Sequence, residues 1–89
     1  MLNEIKDFLK IMQIKYICQY QIDKYRIDMY LPDYNIAIEI DEDWHKYYSS
    51  KDINRENDIV RLLNCKFIRI KENNSCGVAI GLILKLIKD

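Results

Sequence analysis

The stretch Ile36-Ala-Ile-Glu-Ile-Asp-Glu-Asp-Trp-His45, read with the upstream Tyr25-Arg-Ile-Asp-Met-Tyr-Leu31, decides the fold of this 89-residue chain. Both segments alternate with a period of two. Ile27, Met29 and Leu31 oppose Arg26, Asp28 and Tyr30 in the first, and Ile36, Ile38 and Ile40 oppose Ala37, Glu39 and Asp41 in the second, the pattern of strands with one apolar face. Between them, Pro32-Asp-Tyr-Asn35 supplies turn formers, Pro through its fixed φ and Asp and Asn through local side-chain hydrogen bonds, so the two strands form a hairpin. A symmetric loop pairs Leu31 with Ile36, Met29 with Ile38 and Ile27 with Ile40 on the buried side. The same register sets Asp28 opposite Glu39 and Arg26 opposite Asp41 on the other face. Like charges directly opposed on neighbouring strands destabilise a sheet, so Asp28 and Glu39 require a bound cation or a shared proton. Hard carboxylate oxygens suit Mg²⁺ or Mn²⁺, and Mg²⁺ commonly combines one or two carboxylates with phosphate oxygens of a substrate. The alternative is a solvated polar face on which Lys24 and Arg26 neutralise the two acids.

Outward from the hairpin, Leu2, Ile5, Leu9 and Met12 recur at helical spacing and predict an amphipathic helix over 2–12. Residues 14–21 read as extended, with Ile14, Tyr16, Cys18 and Tyr20 on one side, and Asp23-Lys24 turns into the hairpin. A helix over 51–64 is marked by Ile53, Val60 and Leu63 on one side, a strand by 66–71, and a last helix by 76–88 after the loop Asn73-Asn-Ser75. The order helix, three strands, helix, strand, helix predicts an α/β domain with a mixed sheet flanked by helices, the strand after the crossover helix lying parallel to its neighbour. The length allows one domain, 1–89, and no repeat or low-complexity tract divides it. The last helix is apolar nearly all round, through Val78, Ile80, Leu82, Ile83, Leu84, Leu86 and Ile87, which predicts burial on two sides or docking on a partner, a second copy or a neighbouring domain.

Fourteen basic residues balance fourteen acidic ones, so net charge does not mark a nucleic-acid binder or a membrane-surface protein, and any polyanion must be met locally. Cys18, Cys65 and Cys76 form an odd set without a Cys-x-x-Cys pair or a signal-peptide start, which predicts a reducing, intracellular, cytoplasmic setting. A zinc site from these three and His45 finds no support in their spacing. Val78 to Ile87 is too short to span a bilayer, so no membrane is expected.

Asp28 on the second strand with Glu39-Ile-Asp41 on the third, in this order of elements, resembles the PD-(D/E)XK nuclease superfamily, whose fold is restriction-endonuclease-like. That superfamily's third-strand motif normally ends in Lys, where this chain has Asp41. The variant lacking that Lys, the very-short-patch-repair endonucleases and related homing endonucleases, uses a histidine. Its pattern is a Glu in the first helix, an Asp on the second strand, a third-strand motif followed by Trp-His, and an acidic residue near the start of the next helix. Glu4, Asp28, Glu39, Trp44-His45 and Asp52 correspond to it. The chain is also similar to small virus- or phage-type proteins through Ile27-Asp-Met-Tyr-Leu-Pro32, Ile36 to Glu42, His45, Arg55 and Cys65-Lys-Phe-Ile-Arg69, the likeness running from Tyr25 to Glu72.

The resemblance implies a metal-dependent DNA endonuclease or nickase using Mg²⁺ or Mn²⁺, held by Asp28 and Glu39 with Asp41 beside them. His45, the one side chain here whose ordinary pKa lies near neutrality, is the candidate base for the attacking water. Asp41 either binds a second ion, orients His45 or pairs with Arg26, and Asp52 and Glu4 stand in support. Arg55, Lys51 and Lys46 are candidates for phosphate contacts, an ion pair of Arg55 with Glu56 or Asp52 being the plainer role. Trp44 either stacks on a base or lids the core; Tyr47 and Tyr48 either line the groove or anchor their loop. Glu42 and Asp43 read as solvated loop charges. A non-catalytic nucleic-acid-binding module and a dimerisation unit are the competing readings of the same fold.

Overall fold

Asn35 makes the turn that the hairpin needs. Its φ of 53° lies in the left-handed region, which Asn tolerates better than most side chains. Its Nδ2 donates to the carbonyls of Leu63 (3.0 Å) and Asn64 (2.9 Å), its Oδ1 accepts from the Tyr30 hydroxyl, and its own carbonyl accepts from the Lys66 amide (3.0 Å). One residue thus ties the hairpin to the end of the crossover helix and to the strand that follows.

The computed structural model describes residues 1–41 and 50–88, the side chain of Ser50 excepted. In chain order the elements are α1 (Leu2–Ile11), β1 (Ile17–Ile22), β2 (Tyr25–Leu31), β3 (Ile36–Asp41), α2 (Ser50–Leu63), β4 (Lys66–Lys71) and α3 (Cys76–Lys88). The sheet runs β1-β2-β3-β4, antiparallel in its first two pairings and parallel between β3 and β4. This is the α/β order with a mixed sheet that the periodicity predicts. The hairpin register is also as predicted, Leu31 with Ile36, Tyr30 with Ala37 and Met29 with Ile38.

Helices cover both faces. On one, Ile5 and Leu9 of α1 and Ala79 and Ile83 of α3 pack on Met29, Leu31, Ile36, Ile38 and Ile70. On the other, Ile59 of α2 closes over Ile27 and Ala37, with Tyr20, Tyr25, Leu63 and Phe67 around them. Each fully buried Ile or Leu stabilises the fold by roughly 1.5–3 kcal/mol. In α2 the buried stripe is Ile59 with Leu63, whereas Ile53, expected on the inner side, is exposed. In α3 burial is one-sided: Ala79 and Ile83 face the sheet, while Val78 and Leu82 remain exposed. Among the described residues no helix is long and apolar enough to cross a membrane.

Simple alternation fails at one place. Cys18 packs with the α1–α3 layer, but Tyr20 and Ile22 pack with the α2 layer, and Gln19 between them has a φ of 53°. Across the ladder, Met29 and Leu31 face α1 and α3, whereas Ile27 sides with Tyr25 under α2. The expected burial of Ile27 against Ile40 is therefore corrected, as is a strand starting at Ile14: β1 begins at Ile17. A left-handed residue rotates a strand as a bulge does, and here it re-aims one half of each strand. Tyr20, turned to the α2 side, stacks on Tyr30 with ring centroids 4.6 Å apart.

Candidate acidic site at the end of the sheet

The strand change occurs at Asp28, and so does the site. Beyond Met29 and Ile38 the next link between β2 and β3 is a side chain: Asp28 Oδ2 accepts the Ile40 amide at 2.9 Å. This anchors the Asp28 carboxylate in the cleft between the strands. Glu39, alternating with Ala37, faces α2, and only 6% of it is exposed. The Asp28 carboxylate stands close enough to act on it. Burial first, then the hydrogen bond and the charge of Asp28, push Glu39 up to about 7, against the opposing pull of Arg55. Asp28 and Glu39 act on one another, but not as the expected ladder pair on an open polar face: the paired register ends at Met29 and Ile38, and Glu39 is buried under α2.

Arg55, on α2 one turn before Ile59, closes the site from above. One guanidinium nitrogen lies 2.6 Å from Glu39 Oε1 and the other donates to the Arg26 carbonyl at 2.6 Å, while the group stands over the Tyr25 ring, 5.9 Å from its centroid. Tyr25 is fixed in turn by donating its hydroxyl to Asp58 on α2, which raises the phenol's pKa and lowers that of Asp58. The contact with Glu39 is short but poorly directed, and among the described residues Glu39 Oε1 is buried with an ionic neighbour and no aligned hydrogen-bond donor. Arg55 thus engages the strand carboxylate of Glu39.

Asp41 pairs with Arg69 of β4 (2.8 Å) and not with Arg26, and the same guanidinium reaches Glu56 of α2 (2.9 Å). Arg69 thereby bridges β3, β4 and α2. Asp52 lies half-buried in the first turn of α2, one turn before Arg55, and Lys51 beside it is exposed. Glu4 holds the Met1 amine at 2.9 Å, a bond that lowers the carboxyl's pKa and raises the amine's. The charges of Cys76 and Glu72 add to the rise in the amine's pKa. No contact described for Glu4 brings it to Asp28 or Glu39, and α1 belongs to the opposite layer. Trp44, His45 and Lys46, with Glu42, Asp43, Tyr47 and Tyr48, lie outside the described residues.

Among the described residues no three His, Cys, Asp or Glu side chains gather as a metal cage. Cys18 and Cys65 are split between the two layers, which separates them as zinc ligands. Sequence reasoning missed the clamp formed by Arg55, Tyr25 and Arg26. The signal was there: Arg55, Ile59 and Leu63 recur every four residues, so the arginine shares the face that α2 lays on the sheet.

No protein-family model matches the chain, and neither the curated proteins nor the solved structures give a significant match.

Proposed function

We infer that this domain is a divalent-cation-dependent DNA endonuclease or nickase of the PD-(D/E)XK type, its ion held by Asp28 and Glu39. The supporting observation is the buried Glu39 carboxyl beside the half-buried Asp28: two acids close enough to act on one another, the buried one with an oxygen that lacks an aligned donor. Such a site gains from a small hard cation, and Mg²⁺ or Mn²⁺ fits its donors. The ion, when bound, would neutralise phosphoryl charge and stabilise the leaving oxygen. The chain's own residues do the rest. Asp28, fixed by the Ile40 amide, and Glu39, fixed under α2, supply a preorganised pair of oxygens at one end of the sheet. In this reading His45 takes the proton of the attacking water, and Asp41 or Asp52 orients it. Lys51, Lys46 and Arg55 hold the phosphates and Trp44 contacts a base.

Supercoiled plasmid incubated with the protein and Mg²⁺ or Mn²⁺ tests the proposal. Nicked or linear product is expected, and Asp28→Ala and His45→Ala each remove it. The Arg55 guanidinium on Glu39 favours a second reading, in which the pair is neutralised internally and the domain binds nucleic acid without cutting it. Retention of the plasmid without cleavage by any divalent ion supports that reading.

A further inference from the structure

Arg55 occupies the position of a cation. Its nitrogen lies 2.6 Å from Glu39 Oε1, and it is the more exposed partner, its side chain 29% accessible against 8% for Glu39. Two of its contacts, the Arg26 carbonyl and the Tyr25 ring, are independent of Glu39. Tyr25 is itself held to α2 by Asp58, so the cradle persists if the guanidinium lets go of the carboxylate.

We propose that Arg55 is a resident cation that holds the Asp28–Glu39 site in the ion's absence, competes with a divalent ion for Glu39, and once displaced remains tethered beside the site to take a substrate phosphate. The inference rests on the ion-binding reading above and adds a gate to it. A guanidinium nitrogen 2.6 Å from Oε1 fills the space beside that oxygen and repels a second cation, whereas a metal needs the same oxygen at about 2.0–2.1 Å. Ion and arginine therefore exclude one another at Glu39 Oε1. Because linkage is reciprocal, a phosphate that draws Arg55 away strengthens ion binding, and the ion strengthens phosphate binding by the same factor. A gate of this kind would leave the ion weakly held until a nucleic acid arrives.

The test is Mn²⁺ affinity, read from water-proton relaxation or calorimetry on the full chain without nucleic acid. Arg55→Gln should bind Mn²⁺ about two- to fivefold more tightly than the unaltered chain, the size of a partly exposed ion pair that no longer competes, with Arg55→Lys between them. Unchanged or weaker binding in Arg55→Gln, with Mn²⁺ still bound by the unaltered chain, overturns the gate and leaves the ion-binding reading standing. Failure of both proteins to bind Mn²⁺ overturns the two together. Should Arg55→Gln not fold, the Arg55 side-chain Nε–H resonance of the unaltered chain decides: it should shift as Mg²⁺ is added, and a resonance that does not move refutes displacement.

Discussion

Replacing Glu39 with Gln isolates the electrostatic strain of the site from its shape. The two side chains are nearly isosteric, and an amide carries no charge for burial or Asp28 to penalise. Glu39 ionises near 4.5 when unperturbed and at about 7 in the folded chain. Below the first value both states hold the proton, and Glu39 stabilises the fold as Gln would. Between the two, the unfolded chain releases a proton that the folded chain keeps, so stability falls with rising pH by at most ~1.4 kcal/mol per pH unit. Above about 7 the loss is complete, about 3 kcal/mol in all, a large share of the ~5–15 kcal/mol typical of a domain. Urea unfolding of both proteins without divalent ions, at intervals from pH 4.5 to 8, gives this contribution as the difference between two curves, in which titrating groups remote from Glu39 cancel. Glu39→Gln should gain on the unaltered chain steadily between pH 5 and 7 and level off beyond. A constant offset across that range refutes the strain, and a difference of the opposite sign shows that the Arg55 ion pair outweighs burial and Asp28 together.

Two further outcomes follow from named bonds. Asp28→Asn keeps an acceptor for the Ile40 amide while removing the charge, so it should unfold within about 1 kcal/mol of the unaltered chain, whereas Asp28→Ala orphans that amide and should lose ~1–3 kcal/mol in the same assay. Asn35→Gly loses the side-chain bonds to Leu63, Asn64 and Tyr30 and should cost about 2 kcal/mol, and Asn35→Ala about 1 kcal/mol more, because Ala must hold a φ of 53°; equal melting temperatures for the two variants would contradict the backbone part.

Much of this structure was legible because period-two alternation and a short turn are local signals. Tyr25–Leu31, Ile36–Asp41 and Lys66–Lys71 carry their periodicity within six or seven residues, and the Leu31–Ile36 register follows from the turn between them. That register stops at Met29 and Ile38, one residue short of Asp28 and Glu39. The reversal at Gln19 was not legible, because glutamine has no preference for positive φ and the apolar residues on both sides of the kink fit one face as well as the other. The partners of the site acids were hidden for a different reason. Arg55 comes to Glu39, and Arg69 to Asp41 and Glu56, only after the crossover brings α2 and β4 beside β3. Those are tertiary facts that sequence spacing does not carry.

The failure of alternation and the formation of the site have one cause. An uninterrupted ladder would place a main-chain acceptor opposite the Ile40 amide and leave the Asp28 side chain on a face of the sheet. Instead β2 turns its inner half from the α1–α3 layer to the α2 layer at Asp28, and the carboxylate takes over the vacated hydrogen bond. The same turn sends Tyr25 and Ile27 under α2, where Tyr25 supports Arg55 and Ile27 packs near Ile59. Gln19 permits this by rotating β1 in step, so that Tyr20 and Ile22 follow β2 to the new side and the β1–β2 pairing continues. The local departure from a regular strand, the clustering of two acids and the cradle of the arginine over them are therefore a single structural event. A change that straightened β1 at Gln19 would be felt at Glu39 although the two residues share no contact described.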